Sequence, residues 1–238
     1  MPEPKLAPRQ VALNQAWKHR GPLMEEFFNR AFNGPITALE IGTWFGLGST
    51  QIWLNNMKPG STIMLVDAWK PYASKLDLKS SVLSRDMDTM STDAYLSTLV
   101  NVRKFENDQI ESDIKIQIVR SDSSTFLPLL SENTFDFIYI DGDHKYNKVK
   151  NDLIHAKRLI NKEYGVICGD DLEILPTDEL IKLSENHKET DFLNMKSKNL
   201  DYSFHPGVLL AIAEEFGTVS MLNGFWWIVC RKNEFCLS

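Results

Sequence analysis

Two short apolar runs, Phe135-Asp136-Phe137-Ile138-Tyr139-Ile140 and Tyr164-Gly165-Val166-Ile167-Cys168-Gly169, each stop abruptly at paired carboxylates. The first ends in Asp141-Gly142-Asp143-His144 and the second in Asp170-Asp171. Aromatic and β-branched runs of this length read as buried strands, and strands of like character that end alike deliver charged groups to one rim. Carboxylates gathered there are costly unless a cation or a proton neutralises them. Taken singly, Asp141 or Asp170 could instead begin a turn and cap the helix that follows. Together, at matched strand ends, they point to metal binding or catalysis, and oxygen donors favour magnesium, calcium or manganese over zinc.

The rest of the chain supplies the alternation that such a sheet requires. Apolar positions from Val11 to Phe32 recur at helical spacing around a Gly21-Pro22 break, which predicts two short helices ahead of the core. Strands are expected at Thr37–Ile41, Thr62–Val66 and Ile114–Val119, with helices from Ser49 and over Asp93–Phe105. A helix after His144 carries the stripe Val149, Leu153, Ala156 and Ile160, with Lys148, Lys150, Asp152 and Lys157 expected to point outward. A helix over Val208–Phe216 precedes two strands joined by Asn223-Gly224, a strong hairpin turn. The expected fold is α/β, a Rossmann-like doubly wound sheet of seven mostly parallel strands with an antiparallel C-terminal hairpin. Residues 1–33 read as a tail with cap helices and 34–238 as the main domain, interrupted by two polar insertions at about 70–91 and 172–204. Both insertions leave the carboxyl ends of strands, where open α/β sheets bind ligands, and are expected to act as substrate lids.

Composition narrows the partners. With 238 residues, 43% of them hydrophobic, the chain can bury one sizeable core. A net charge of −6 without a long basic run argues against a phosphate-tracking nucleic-acid surface and for a small-molecule partner. Lys145, Lys148, Lys150, Lys157 and Arg158 read as a solvated helix face. Cys168, Cys230 and Cys236 are widely spaced, and two lie in apolar runs, which fits reduced core packing and a cytoplasmic setting. The Pro-rich first ten residues lack the apolar core of a secretory signal, and no apolar stretch approaches the roughly 20 residues needed to span a bilayer.

Between the first strand and its helix lies Glu40-Ile41-Gly42-Thr43-Trp44-Phe45-Gly46-Leu47-Gly48-Ser49-Thr50, where glycines permit a tight turn and close approach of a ligand to the backbone. The spacing G-x-x-x-G-x-G departs from the G-x-G-x-x-G of dinucleotide binders, which weakens a nicotinamide reading. The second strand ends at Asp67, placed to accept hydrogen bonds from both hydroxyls of a ribose.

These marks resemble the class I S-adenosylmethionine-dependent methyltransferases over about Thr37 to Arg231. More narrowly, Asp141-Gly142-Asp143-His144-Lys145-Tyr146, Gly169-Asp170-Asp171 and His205-Pro206-Gly207-Val208 resemble the metal-dependent sugar O-methyltransferases of antibiotic biosynthesis and the related cephalosporin hydroxylase-like proteins. The resemblance implies that Gly42 and Gly46 line the methionine part of the cofactor, with Thr43 and Ser49 in the same loop and Glu40 beneath it. It implies Asp67 for the ribose and Ser121-Asp122-Ser123 as the adenine-binding turn, although serine stands at 121 where the family has glycine. Asp141, Asp170 and Asp171 become ligands of Mg2+ or another hard divalent cation, Asp141 standing in the cofactor-binding set as well, and Asp143 becomes the general base.

Magnesium acting as a Lewis acid on an acceptor hydroxyl, with a carboxylate to take the proton, is consistent chemistry for this transfer. His144 is an alternative base, with an unperturbed pKa of about 6.5 near working pH, or else a helix-start residue pointing away. His205 could turn into the pocket ahead of Pro206-Gly207, but lone histidines are more often structural. Trp44, Phe45, Trp69 and Tyr72 are assigned to packing or loop anchoring, and Trp226 and Trp227 to packing on opposite faces of the last strand. Two other functions stay open: a hydroxylase-like enzyme, although no facial triad of two histidines and a carboxylate is visible in the sequence, and a cofactor-binding module without turnover. The acceptor is expected to be a small-molecule hydroxyl, and the N-terminal helices leave room for a homo-oligomer that closes a neighbouring pocket.

Overall fold

The computed structural model describes residues 17–70, 90–108, 113–196 and 201–237. The fold is α/β with mostly parallel strands and antiparallel C-terminal pairing, as expected. It falls into two compact units, residues 1–122 and 123–238.

The first unit opens with helix α1, Trp17–Ala31. Gly21-Pro22 does not split it: Pro22 lies inside one continuous helix. Gly21, Met24 and Phe28 form a buried stripe that runs across the proline, so packing on that stripe outweighs the lost hydrogen bond. The region of the other predicted N-terminal helix, before Trp17, lies outside the described residues, as does most of the insertion at 70–91, Tyr72 included. Strand β1, Thr37–Ile41, pairs in parallel with β2, Thr62–Asp67, and β2 in turn with β3, Lys115–Arg120. Helix α2, Ser49–Asn56, joins β1 to β2, and Phe28 of α1 meets its Trp53 at a ring separation of 5.4 Å. Helix α3, Tyr95–Asp108, follows a π-helical turn at Met90–Ala94 and leads to β3.

In the second unit a short helix α4, Ser123–Phe126, leads to β4, Phe137–Ile140, every residue of which is buried. Helix α5, Tyr146–Leu159, follows, then β5, Tyr164–Leu172, parallel to β4. Asp152, predicted to face water, is buried, because it lies three residues after Val149 and so on the inward stripe. Strand β5 runs past Gly169 and takes in both Asp170 and Asp171; its register with the antiparallel strand β9, Gly224–Arg231, shifts between Gly169 and Leu172. The second carboxylate pair therefore sits in an irregular stretch of the ladder rather than beyond it, with Asp171 in the left-handed region at φ 64.

The insertion at 172–204 has regular structure of its own. Helix α6, Asp178–His187, starts at Thr177, whose hydroxyl accepts the Leu180 amide, and carries two acids in its first turn. Strands β6, Leu193–Lys196, and β7, Asp201–Phe204, pair antiparallel. Helix α7, Pro206–Phe216, packs on α5 and α6 and leads to β8, Ser220–Leu222. The hairpin turn at Asn223-Gly224 forms as predicted, both residues at positive φ, and β10, Glu234–Cys236, pairs with β9. The three cysteines are free thiols, and no described helix is long and apolar enough to cross a membrane.

Candidate active site

In the first unit, the β1–α2 turn is held from two sides. Gly42 and Gly46 take φ of 89 and 65, a region that side chains rarely adopt. A Cβ at Gly46 would also lie 3.1 Å from the Thr98 side chain, so the turn rests directly on α3. Thr98 Oγ1 donates to the Trp44 carbonyl at 2.8 Å and Asn101 Nδ2 to the Phe45 carbonyl at 3.0 Å. Trp69, fully buried, donates its indole N–H to the Trp44 carbonyl at 2.7 Å and packs against Tyr95. Phe45, Trp69 and Ala94 form a small core around this contact, joined by Trp44, Leu47, Tyr95 and Ile118. The aromatics thus anchor the loop. Thr98 and Asn101 were not visible as site residues in the sequence, where they look like ordinary positions of an amphipathic helix.

Asp67 closes the turn. Its Oδ2 accepts the backbone amides of Thr43 and Trp44, both at 2.9 Å, and its Oδ1 accepts the Trp69 amide at 2.6 Å. Burial nevertheless pushes the Asp67 carboxyl above its usual range, the three amides opposing that rise. Glu40, fully buried, accepts the hydroxyls of Ser49 at 2.5 Å and Thr50 at 3.1 Å through Oε1, tying β1 to the first turn of α2. Burial pushes its carboxyl up to about 8. Its Oε2 and the hydroxyl of Thr43 are buried with no hydrogen-bond partner among the described residues. An unpartnered acceptor and hydroxyl beneath a glycine turn match what an ammonium-bearing, multiply polar ligand would complete. Ser121 follows β3 and donates its amide to the Asp67 carbonyl at 2.9 Å, with Asp122 next in the chain. Ser123 opens the second unit at the start of α4.

In the second unit, the predicted carboxylates meet imidazoles. Asp141, just past β4, accepts the Tyr139 hydroxyl at 3.2 Å. His144 lies between two acids: its Nε2 is 3.0 Å from Asp171 Oδ2 and its Nδ1 is 2.8 Å from Asp191 Oδ1. Asp143 accepts the Lys145 amide at 2.9 Å through Oδ1, at the start of α5. Asp170 turns its Oδ1 to the Asp171 amide at 2.9 Å. His205 packs edge-on against the His144 ring at 4.4 Å, and Glu173 grips it twice, at Nδ1 (2.8 Å) and at the backbone amide (3.2 Å). Burial alone would raise the Asp191 carboxyl, but the hydrogen bond from His144 and the nearby imidazoles outweigh it and hold the group below its usual value.

Three sets of donor atoms lie within 4.8 Å of one another: Asp141, His144 and Asp171; His144, Asp191 and His205; Asp171, Glu173 and His205. The structure thus gathers Asp141 and Asp171 as the sequence implied, completes them with His144, and leaves Asp170 outside all three sets among the described residues. Glu173 and Asp191 escaped notice because each lies in the polar insertion, far along the chain from its histidine partner. Two histidines and a carboxylate, absent as a sequence motif, are brought together by the fold. Of the basic residues of α5, Lys150 and Lys157 reach α7, pairing with Glu214 at 2.5 Å and Glu215 at 3.1 Å, while Arg158 donates to the Leu127 and Leu130 carbonyls.

Residues 39–172 match a family described as a methyltransferase domain. Among solved structures, the cofactor-bound Rv0187 from MTB is 14% identical, with 90% of this chain and 80% of that chain covered and a TM-score of 0.51. A methyltransferase from Geobacter sulfurreducens is 12% identical, with 99% and 91% covered and a TM-score of 0.47. The PH0226 protein from Pyrococcus horikoshii OT3 is 12% identical, with 92% and 90% covered and a TM-score of 0.46. At these identities the likeness is one of fold. No curated protein matches the chain.

Proposed function

The chain belongs to the methyltransferase-domain family, and from that premise we propose that it transfers a methyl group from S-adenosylmethionine to a hydroxyl oxygen of a small molecule, a sugar or natural-product-like acceptor. The observation that carries the cofactor assignment is the turn at 42–49, clamped by Asp67 and α3, with Glu40 Oε2 and the Thr43 hydroxyl buried beneath it and without a partner among the described residues. Glu40 Oε2 would accept from an ammonium once the carboxyl gives up the proton that burial makes it hold. Asp67 keeps the turn in shape through the Thr43, Trp44 and Trp69 amides, and its one remaining lone pair, on Oδ1, would serve a ribose hydroxyl. Ser121, Asp122 and Ser123 would flank the adenine. The sulfonium of the donor supplies an activated methyl and a good leaving group, so what the protein must add is alignment and a nucleophilic oxygen.

On the acceptor side, Asp141 and Asp171 would hold a divalent cation, with Asp170 fixing the irregular stretch of β5 through the Asp171 amide. Such an ion would supply Lewis acidity at the acceptor hydroxyl. Asp143 is the proposed base. One of its oxygens is fixed by the Lys145 amide, which leaves the other to take the hydroxyl proton as the oxygen attacks the methyl group. His144 is the weaker candidate, because both of its ring nitrogens already face carboxylates.

Calorimetric titration of S-adenosylmethionine into the purified protein, with Mg2+ and with chelator, alongside Asp67→Ala, tests the assignment. Micromolar binding lost in Asp67→Ala supports it and opens a screen of hydroxyl acceptors; no binding in either condition sinks it. Binding without turnover on any acceptor would favour the cofactor-binding module instead.

A further inference from the structure

We propose that His144, Asp191 and His205 form a site for a first-row transition-metal dication, one that takes imidazole nitrogen as well as carboxylate oxygen, distinct in composition from the carboxylates assigned above to a hard cation. The donor atoms of the three residues lie within 4.8 Å of one another, close enough for one ion to reach all of them. His205 is 9% exposed, its Nδ1 is taken by Glu173, and its ring lies 4.4 Å from that of His144. A largely buried histidine held by a carboxylate at one nitrogen and set against a second imidazole is oriented to offer its other nitrogen to an ion.

The surroundings repeat a pattern that metal-binding imidazoles share: each has a carboxylate on the nitrogen that does not face the ion. Glu173 Oε1 lies 2.8 Å from His205 Nδ1, and Asp171 Oδ2 lies 3.0 Å from His144 Nε2, which turns His144 Nδ1 toward Asp191. The backbone enforces the pairing. A Cβ at Gly207 would lie 2.2 Å from the His144 carbonyl and 2.5 Å from the Tyr146 amide, so α7 begins in direct contact with the turn that carries His144, and His205 arrives two residues earlier. Imidazole in the donor set shifts preference from Mg2+ toward Zn2+, Co2+, Ni2+ or Fe2+. Two imidazoles and one carboxylate also leave coordination positions open to a further ligand.

Full-length protein stripped with chelator is titrated with CoCl2, followed by visible absorption, and separately with MgCl2 by calorimetry. The expected result is one equivalent of Co2+ bound at least about tenfold more tightly than Mg2+, displaced by Zn2+. His205→Gln and Asp191→Asn should each weaken Co2+ binding by about a hundredfold, and Glu173→Gln, acting only through His205, by about tenfold. Far-UV circular dichroism and S-adenosylmethionine binding are recorded for each variant, to separate loss of the site from loss of the fold. No Co2+ uptake by folded wild-type protein would overturn the proposal in favour of a plain imidazolium–carboxylate network. Uptake that survives His205→Gln and Asp191→Asn but is lost in Asp141→Asn would overturn it in favour of the carboxylate set alone. Co2+ bound as expected with no S-adenosylmethionine binding would leave the site standing and remove the methyltransferase reading.

Discussion

Asp67 holds the backbone amide of Trp44 at 2.9 Å, and Trp44 takes a φ of 52 that its bulk disfavours. The carboxylate and the unusual backbone support each other: the amides of Thr43 and Trp44 converge on one oxygen only because the turn is wound this way. Asp67→Asn replaces one acceptor oxygen by a donor facing an N–H. We expect a loss of about 2 kcal/mol and a fall of several degrees in thermal midpoint, checked by thermal denaturation. S-adenosylmethionine affinity should fall at least about tenfold by calorimetry.

Glu40 links stability to pH. Its carboxyl, ordinarily near 4.5, is raised by burial to about 8, with Asp67 adding to the rise and the Ser49 and Thr50 hydroxyls opposing it. Between those values the folded protein holds a proton that the unfolded chain has released. Stability from this group is therefore fully present below pH 4.5 and lost as pH rises through about 8. The slope for one full proton is about 1.4 kcal/mol per pH unit. Glu40→Gln keeps the acceptor for Ser49 and Thr50 and should flatten this dependence in denaturant unfolding across that range. Asp67, raised in the same direction, leaves a residual slope. An unchanged slope would mean that Glu40 is ionised in the fold.

Gly207→Ala should be among the most damaging single-methyl additions in the second unit. The new carbon meets backbone at 2.2 and 2.5 Å, which no rotamer change relieves. We expect about 3 kcal/mol of destabilisation by denaturant titration, whereas Gly34→Ala, with nothing within 4 Å of the added carbon, should stay within about 1 kcal/mol.

Thr177→Ala removes the acceptor for the Leu180 amide at the start of α6. The expected cost is about 1 kcal/mol, localised to the insertion. Hydrogen exchange should show faster opening of Leu180 and Ile181 with little change in β4 or β5.

The parts of the fold legible in sequence were those where one period dominates. The apolar run of β4, the Asn223-Gly224 turn and the glycine turn after β1 are local statements, and the structure keeps them. Asp152 was misplaced because its charge outweighed its position on the inward stripe. The insertion at 172–204 looked structureless because polarity hid a capped helix and a hairpin whose pairing partners are distant. The site divides the same way. Asp141, His144 and Asp171 could be picked out from strand ends, but Asp191 and Glu173 become site residues only through contacts 47 and 32 positions away along the chain. No local pattern encodes such contacts.

The grip of Glu173 on His205 joins two points 32 residues apart within 2.8 Å. The stretch between them is, in effect, a ring: it leaves and rejoins the scaffold at one place, and its closure entropy grows only slowly with its length. Its outer parts can therefore be lengthened, shortened or exchanged without moving the scaffold at its base, provided that α6 keeps its seat on α7, the Lys188 carbonyl its bond from the Tyr146 amide and Asp191 its reach to His144. Such a ring is a graftable module, whose outer positions can be rewritten while the strands and helices beneath stay fixed.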